Sequence, residues 1–291
     1  MSLRTYAMPI LFLATYLAHG ESRPLLFVTI PPQRWLVQQL AGEAVDVRVV
    51  VAPGQNPHTY EPSGRQLALL AQAQGWLTIG LPFEQTLIAK VRSMQPSLIE
   101  YPIYKGIHRR SEATSQTHRH VPGEACSEDG TDPHIWLTPA NMAHLGTNTC
   151  LALKQVLPGK VAELEAALAR LTVDIAALQR TMAETLRSVR GRSFWVYHPS
   201  WSYLAQTFDL VQRAVEADGR EPTPRQLAAL IQSAQAARVR VLFADPQVDP
   251  RPIRALATQI GAAVVVLDPL AENWDANMRH VAGALLDAIK D

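Results

Sequence analysis

The stretch PGKVAELEAALARLTVDIAALQRTMAETLRSVRG, Pro158 to Gly191, decides how the rest of the chain is read. Its apolar residues Val161, Leu164, Leu168, Leu171, Ile175, Leu178, Met182, Leu186 and Val189 recur at intervals of three and four, which places them on one stripe of a helix. Pro158 suits a helix start and Gly191 a helix stop. At ~1.5 Å per residue the helix would be on the order of 45 Å long, enough to span a globular protein. An apolar stripe of this kind serves either a coiled-coil dimerisation arm or a spine laid across two halves of one molecule. A substantial length of chain on each side of it favours the spine.

The chain has 291 residues, 47% hydrophobic and 18% charged, so it can bury a sizeable core and has room for two domains. Residues 1–20 combine Arg4, an apolar run from Tyr6 to Ala18, and small residues at Ala18 and Gly20, the pattern of a secretory signal peptide. The run is short for a membrane span, and no cysteine follows it to accept a lipid. A soluble periplasmic protein is expected, with an uncleaved anchor as the alternative. Removing residues 1–20 leaves 26 basic and 26 acidic side chains, a balance that offers nothing to nucleic acid or to an anionic membrane. Export would permit a disulfide between the two cysteines, Cys126 and Cys150.

Before the spine, short β-branched runs alternate with helical stretches. Strands are expected at Leu25–Ile30, Val45–Val51, Trp76–Gly80 and Ser97–Tyr101, with helices at Gln33–Leu40, after a Ser63 cap, and at Phe83–Val91. A polar segment, Lys105–Asp132, interrupts the rhythm and carries His108, His118 and His120; TDPHIWLTP and a helix from Asn141 follow. The alternation resumes beyond the spine, with strands at Phe194–Tyr197, Leu210–Val215, Val239–Ala244 and Ala263–Leu267. Helices are expected there at Ser200–Gln206, Pro224–Ala236, Pro252–Ile260 and Trp274–Ile289. Such alternation implies parallel sheets with ligands held outside their carboxyl ends. The fold class expected is therefore α/β: two Rossmann-like lobes with parallel sheets, joined by one long spanning α-helix, with a cleft between them. The division expected is signal peptide 1–20, N-terminal lobe 21–157 with its histidine-containing loop at 105–132, linking helix 158–191 and C-terminal lobe 192–291.

Four residues stand at or just beyond strand ends. His58 lies on the Pro- and Gly-rich loop APGQNPHTYEPSG, stiff enough to pre-place a metal ligand. His134 is set among apolar residues, where an imidazole needs a partner such as a cation backed by Asp132. His198 closes FWVYH, with Trp201 and Tyr203 near enough to wall a site, and Asp268 closes VVVLD. Singly, each reads equally well as a loop, core or capping residue. Together, three His and one Asp divided between two lobes match the nitrogen and oxygen donors of a closed zinc site. Recognisable nucleophile-elbow, metalloprotease, Walker and dinucleotide motifs are missing from the sequence. Glu61 or Glu216 could act as a base beside a metal-bound water in a secreted hydrolase, but only with an open coordination position.

The sequence resembles the substrate-binding proteins of bacterial ABC importers for zinc and manganese. The resemblance is carried by NPHTYEP (Asn56–Pro62), DPHIWLTP (Asp132–Pro139), the spine, YHPSWSYLA (Tyr197–Ala205), EADGREPTP (Glu216–Pro224) and LDPLA (Leu267–Ala271). It implies that His58, His134, His198 and Asp268 hold the metal between two lobes whose relative motion is slight. It implies delivery to an ABC permease in the inner membrane, without catalysis, by a monomer. Manganese members tend to have a carboxylate in place of His198, and nitrogen-rich ligation favours zinc over manganese. Zinc members often carry a long His-rich loop where this chain has 105–132. With only His108, His118 and His120, the loop reads either as a segment that collects zinc or accepts it from a periplasmic chaperone, or as a solvated linker.

Overall fold

A computed structural model describes residues 23–110, 131–216 and 222–290. The expected signal peptide, His118, His120, Cys126 and part of the EADGREPTP stretch lie outside them. Among the described residues no helix is long and apolar enough to cross a membrane.

The N-terminal sheet is built from β1 (Leu25–Val28), β2 (Asp46–Val49), β3 (Gly75–Thr78) and β4 (Ile99–Pro102), all parallel, in the order β2-β1-β3-β4. Helices α1 (Pro31–Ala41), α2 (Gly64–Leu70) and α3 (Pro82–Met94) make the crossovers. Prolines occupy the first turns of α1 and α3, where a missing N–H costs nothing, and the expected Ser63 cap of α2 accepts from the Gln66 N–H at 3.3 Å. The fully buried Glu84 of α3 pins the ends of β1 and β3 together. Its carboxyl accepts from the N–H groups of Ile79, Gly80 and Leu81 and from the Thr29 hydroxyl, and burial pushes its pKa up to about 7.

The C-terminal sheet repeats this plan. Strands β5 (Ser193–Val196), β6 (Val211–Ala214), β7 (Val241–Ala244) and β8 (Ala263–Val266) run parallel in the order β6-β5-β7-β8. Helices α6 (Ser202–Thr207), α7 (Pro224–Ala236) and α8 (Pro250–Ile260) connect them, and α9 (Trp274–Ile289) closes the chain. The two lobes thus share a topology that leaves no trace as a sequence repeat.

Between the sheets lie α4 (Pro139–Val156) and α5 (Val161–Leu186), the latter bracketed by single 3-10 turns at Pro158–Lys160 and Arg187–Val189. The α-helical part spans ~39 Å, and Gly191 stops it at φ +73°, a conformation open to glycine at little cost. The stripe predicted from the sequence is buried at Leu164, Leu171, Ile175, Leu178, Met182, Leu186 and Val189. At its start the helix departs from the prediction: Val161 is exposed, Leu168 is half-buried, and Ala167 takes the inward position. The stripe packs on α1, α4 and α9 of the same chain, which leaves no apolar seam for a coiled-coil partner. One core runs unbroken from Val28 of β1, through Leu171 and Leu178, to Val196 of β5 and Phe243 of β7.

Direct bonds also tie the lobes. The Trp136 indole N–H donates to the Pro269 carbonyl at 2.8 Å, and that of Trp274 donates to the Trp136 carbonyl at 2.9 Å. Arg34 makes a two-pronged ion pair with Glu272, and Trp35 packs on Trp274 with ring centroids 5.4 Å apart. Cys150 is buried on α4 with its Sγ 3.7 Å from the Leu164 carbonyl oxygen.

The spine gives a direct stability test. Leu178→Ala, at a fully buried position, is expected to cost about 2–5 kcal/mol of unfolding free energy through lost burial and a residual cavity. Val173→Ala, on the same helix but 65% exposed, should stay within about 0.5 kcal/mol. Denaturant titration of the two variants checks both values.

Candidate metal-binding site

The loop after β2 turns through one 3-10 turn, Pro57–Thr59, opened by the Asn56 side chain, whose Oδ1 accepts from the His58 N–H at 2.9 Å. That turn presents His58 across the interlobe cleft. His134 arrives from the segment between Thr131 and α4, and its N–H is fixed at 2.9 Å by Asp132 Oδ1. His198 comes from the carboxyl end of β5, two residues beyond the strand. The three rings form a triangle with centroid separations of 4.9 Å (His58–His198), 5.2 Å (His134–His198) and 5.4 Å (His58–His134). One ring nitrogen from each lies within 4.8 Å of those of the other two.

Two of these imidazoles are backed by carboxylates. His134 Nδ1 lies 2.8 Å from Asp132 Oδ1, and His198 Nδ1 lies 2.8 Å from Glu216 Oε2. An Nδ1–H directed at a carboxylate leaves Nε2 as the lone-pair nitrogen, which fixes both tautomers as metal binding requires. His198 Nε2 is buried and has no hydrogen-bond partner. An orphaned buried nitrogen of this kind is unfavourable and is satisfied by a cation. Asp132 is itself held by the hydroxyl of Ser202, while Tyr203 Oη donates to its carbonyl at 2.9 Å. Residues from both lobes therefore support the imidazole of His134.

Burial and repulsion set the charge states. Loss of hydration in the cleft, together with the charges that His198 and His134 would carry, holds the His58 pKa well below its ordinary value, although much of that residue's surface remains exposed at the mouth. Burial likewise lowers His134, outweighing the pull of Asp132. At His198 burial also opposes protonation, but the Glu216 hydrogen bond and the charges of Asp245, Glu216 and Asp132 prevail and raise it. Asp132 moves the other way: burial pushes it up, and the His134 and Ser202 bonds bring it below the usual carboxylate range.

The structure thus brings His58, His134 and His198 together. Asp268 stands at the same end of the C-terminal sheet but outside the histidine cluster, with Oδ1 accepting from Gln247 Nε2 at 2.7 Å and from the Leu270 N–H at 2.9 Å. The expected aromatic wall of Trp201 and Tyr203 is elsewhere. Both are buried in the core, and Trp136 lines the cleft instead, its ring 5.4 Å from that of His134. Glu61 is exposed and does not line the cleft, whereas Glu216 does so as the partner of His198. His108 is exposed and outside the cluster. Sequence reasoning missed Asp245 and Gln247. Asp245 is buried at the end of β7, bonded by the Ser200 hydroxyl at 2.8 Å and raised by burial to about 6. The signal was available: VRVLFAD ends an apolar strand on a carboxylate just as VVVLD does.

Residues 26–288 match the family described as zinc-uptake complex component A, periplasmic. The chain belongs to that family. It is similar to a solved structure of ZnuA, at 31% identity over 92% of this chain and 100% of that one, with a TM-score of 0.84. A second, a zinc-bound ZnuA lacking residues 138–173 of its own chain, shares 32% identity over 93% and 99%, with a TM-score of 0.83. The zinc-binding lipoprotein AdcA of Streptococcus pneumoniae is 24% identical over 84% of this chain, which spans 50% of AdcA's length. The family is one of metal-transport components rather than enzymes, and zinc is the ion that it handles. Removing the carboxylate behind His198 by Glu216→Ala is expected to lower zinc affinity about 10–100-fold, measured by competition against a zinc chelator of known affinity.

Proposed function

We propose that the mature chain captures one zinc ion in the periplasm and hands it to an ABC-type permease in the inner membrane, without catalysis. The observation that carries this reading is the convergence of three imidazoles from both lobes, with His198 Nε2 buried and lacking a hydrogen-bond partner. His58, His134 and His198 supply neutral nitrogen donors, and Asp268 supplies an oxygen that completes a four-coordinate site and lowers the net charge of the bound ion. Nitrogen-rich ligation favours zinc over manganese. Glu216 and Asp132, each committed to an Nδ1, act by orienting their imidazoles. With four protein ligands the ion keeps no water to activate, so hydrolysis is not supported.

In this reading the division of the chain is a cleaved signal peptide at 1–20, lobes at 21–157 and 192–291 and a linking helix at 158–191, working as a monomer. The loop at 105–132 would gather zinc or receive it from a chaperone.

Protons and zinc compete for the same nitrogens. His58, held well below its ordinary value, and His134, also lowered, are neutral at pH 7 and take up protons later than a free imidazole as pH falls. His198, with a raised pKa, takes up a proton first. Zinc affinity should therefore fall as pH drops, beginning near neutrality with one proton displaced per ion and steepening once the other two imidazoles titrate. Affinity unchanged between pH 7.5 and pH 5 would contradict three imidazole ligands.

The decisive test strips the purified mature chain, offers zinc and manganese in equal excess and counts bound ions by native mass spectrometry. One zinc per chain, lost in His198→Ala and in Asp268→Ala, is the expected result. Preferential manganese, or no stoichiometric metal, would overturn it.

A further inference from the structure

The turn after β7 brings Gln247 against the cleft between Asp245 and Val248. Its amide is oriented without ambiguity, because Nε2 lies 2.7 Å from Asp268 Oδ1, where only the donor end can sit. The other end of the same amide, Oε1, is buried and has no hydrogen-bond partner. A buried amide oxygen left unpartnered is unfavourable, so the bond to Asp268 is kept at a cost. The Leu270 N–H converges on the same Oδ1 at 2.9 Å. The Asp268 carbonyl is tied to Asn277 Nδ2 at 2.8 Å, so backbone and carboxylate are both held.

Two donors on one carboxylate oxygen divide the group. Both bonds fall on Oδ1, and among the described residues no hydrogen bond reaches Oδ2. A carboxylate that offers one oxygen adds one ligand to three imidazoles and gives four-coordination, which zinc accepts and manganese, with its preference for six donors, does not. A carboxylate free to turn can offer both oxygens and raise the coordination number. We propose that Gln247 is a positioning residue that restricts Asp268 to a single ligating oxygen and thereby selects zinc over manganese, an assignment that rests on the reading of Asp268 as the fourth ligand.

The test uses cobalt(II) as a probe of coordination number in the full mature chain, because four-coordinate cobalt absorbs visible light far more strongly than five- or six-coordinate cobalt. Gln247→Met keeps the side chain's length and removes its donor. Gln247→Asn keeps an amide but withdraws it from Asp268, and serves if the methionine variant is poorly folded by circular dichroism. The parent should show the intense four-coordinate spectrum. Either variant should show weakened bands, and its preference for zinc over manganese in competition should fall on the order of tenfold. In an Asp268→Ala background the Gln247 substitution should change neither readout further. Parental spectra and selectivity in both Gln247 variants, with zinc binding still weakened by Asp268→Ala, would overturn the role of Gln247 alone. Zinc binding and cobalt spectrum unaltered by Asp268→Ala would instead remove Asp268 from the ligand set, and the role of Gln247 with it.

Discussion

Three imidazoles with ring centroids 4.9–5.4 Å apart can share a cleft only while most of them are neutral, and the rest of the structure answers to that constraint. Burial alone would keep the rings uncharged, but it would leave their tautomers undefined. Carboxylates supply the definition. Asp132 and Glu216 each accept at an Nδ1 and so turn an Nε2 lone pair away from themselves. The field of these acids is graded: it is too weak to overcome burial at His134 and strong enough at His198, where Asp245, Glu216 and Asp132 add together. The cleft is therefore a set of lone pairs held at close quarters by negative charge placed behind them, an arrangement that favours a divalent cation over any neutral ligand.

Holding such a set requires a frame that does not relax, since imidazoles that could separate would do so. Helix α5 supplies a continuous core between the sheets, and the two tryptophan bonds at Trp136 lock the DPHIWLTP segment onto the C-terminal lobe. His134 is two residues from Trp136, so the same contact that joins the lobes also fixes one corner of the triangle. Tyr203 and Ser202 extend the lock by reaching from the C-terminal lobe to Asp132. In a hinged binder the cleft is made by closure; here the His134 corner is tied into the packing between the lobes.

Much of this is legible in sequence because it is local. The periodicity of α5 is recorded in its own residues, the bounds of α7 and α9 coincide with those read from apolar spacing and caps, and the alternation of strands and helices dictates parallel sheets. The histidines were visible because each interrupts or ends an apolar run. What was not legible is what depends on contacts distant in sequence. Trp136 rather than Trp201 walls the cleft because Trp136 is held by Pro269, 133 residues away. Gln247 passes for an ordinary turn residue until Asp268, 21 positions on, is seen to accept its amide. Even within α5, choosing Ala167 over Leu168 for the inward position depends on packing that the stripe alone does not record.

The triangle is unequal, and the inequality bears on how a tightly held ion can be given up. His134 and His198 have carboxylates behind them, and His134 also lies two residues from the Trp136 bonds that join the lobes. His58 belongs to a single 3-10 turn in a Pro- and Gly-rich loop, keeps much of its surface in solvent, and is tethered by the hydrogen bond that its own N–H donates to Asn56 Oδ1. Loss of a single donor from a closed site opens a coordination position to an outside ligand, and affinity then falls steeply without any need for the lobes to separate. Of the three imidazoles, His58 is the one carried by a loop outside the packing between the lobes.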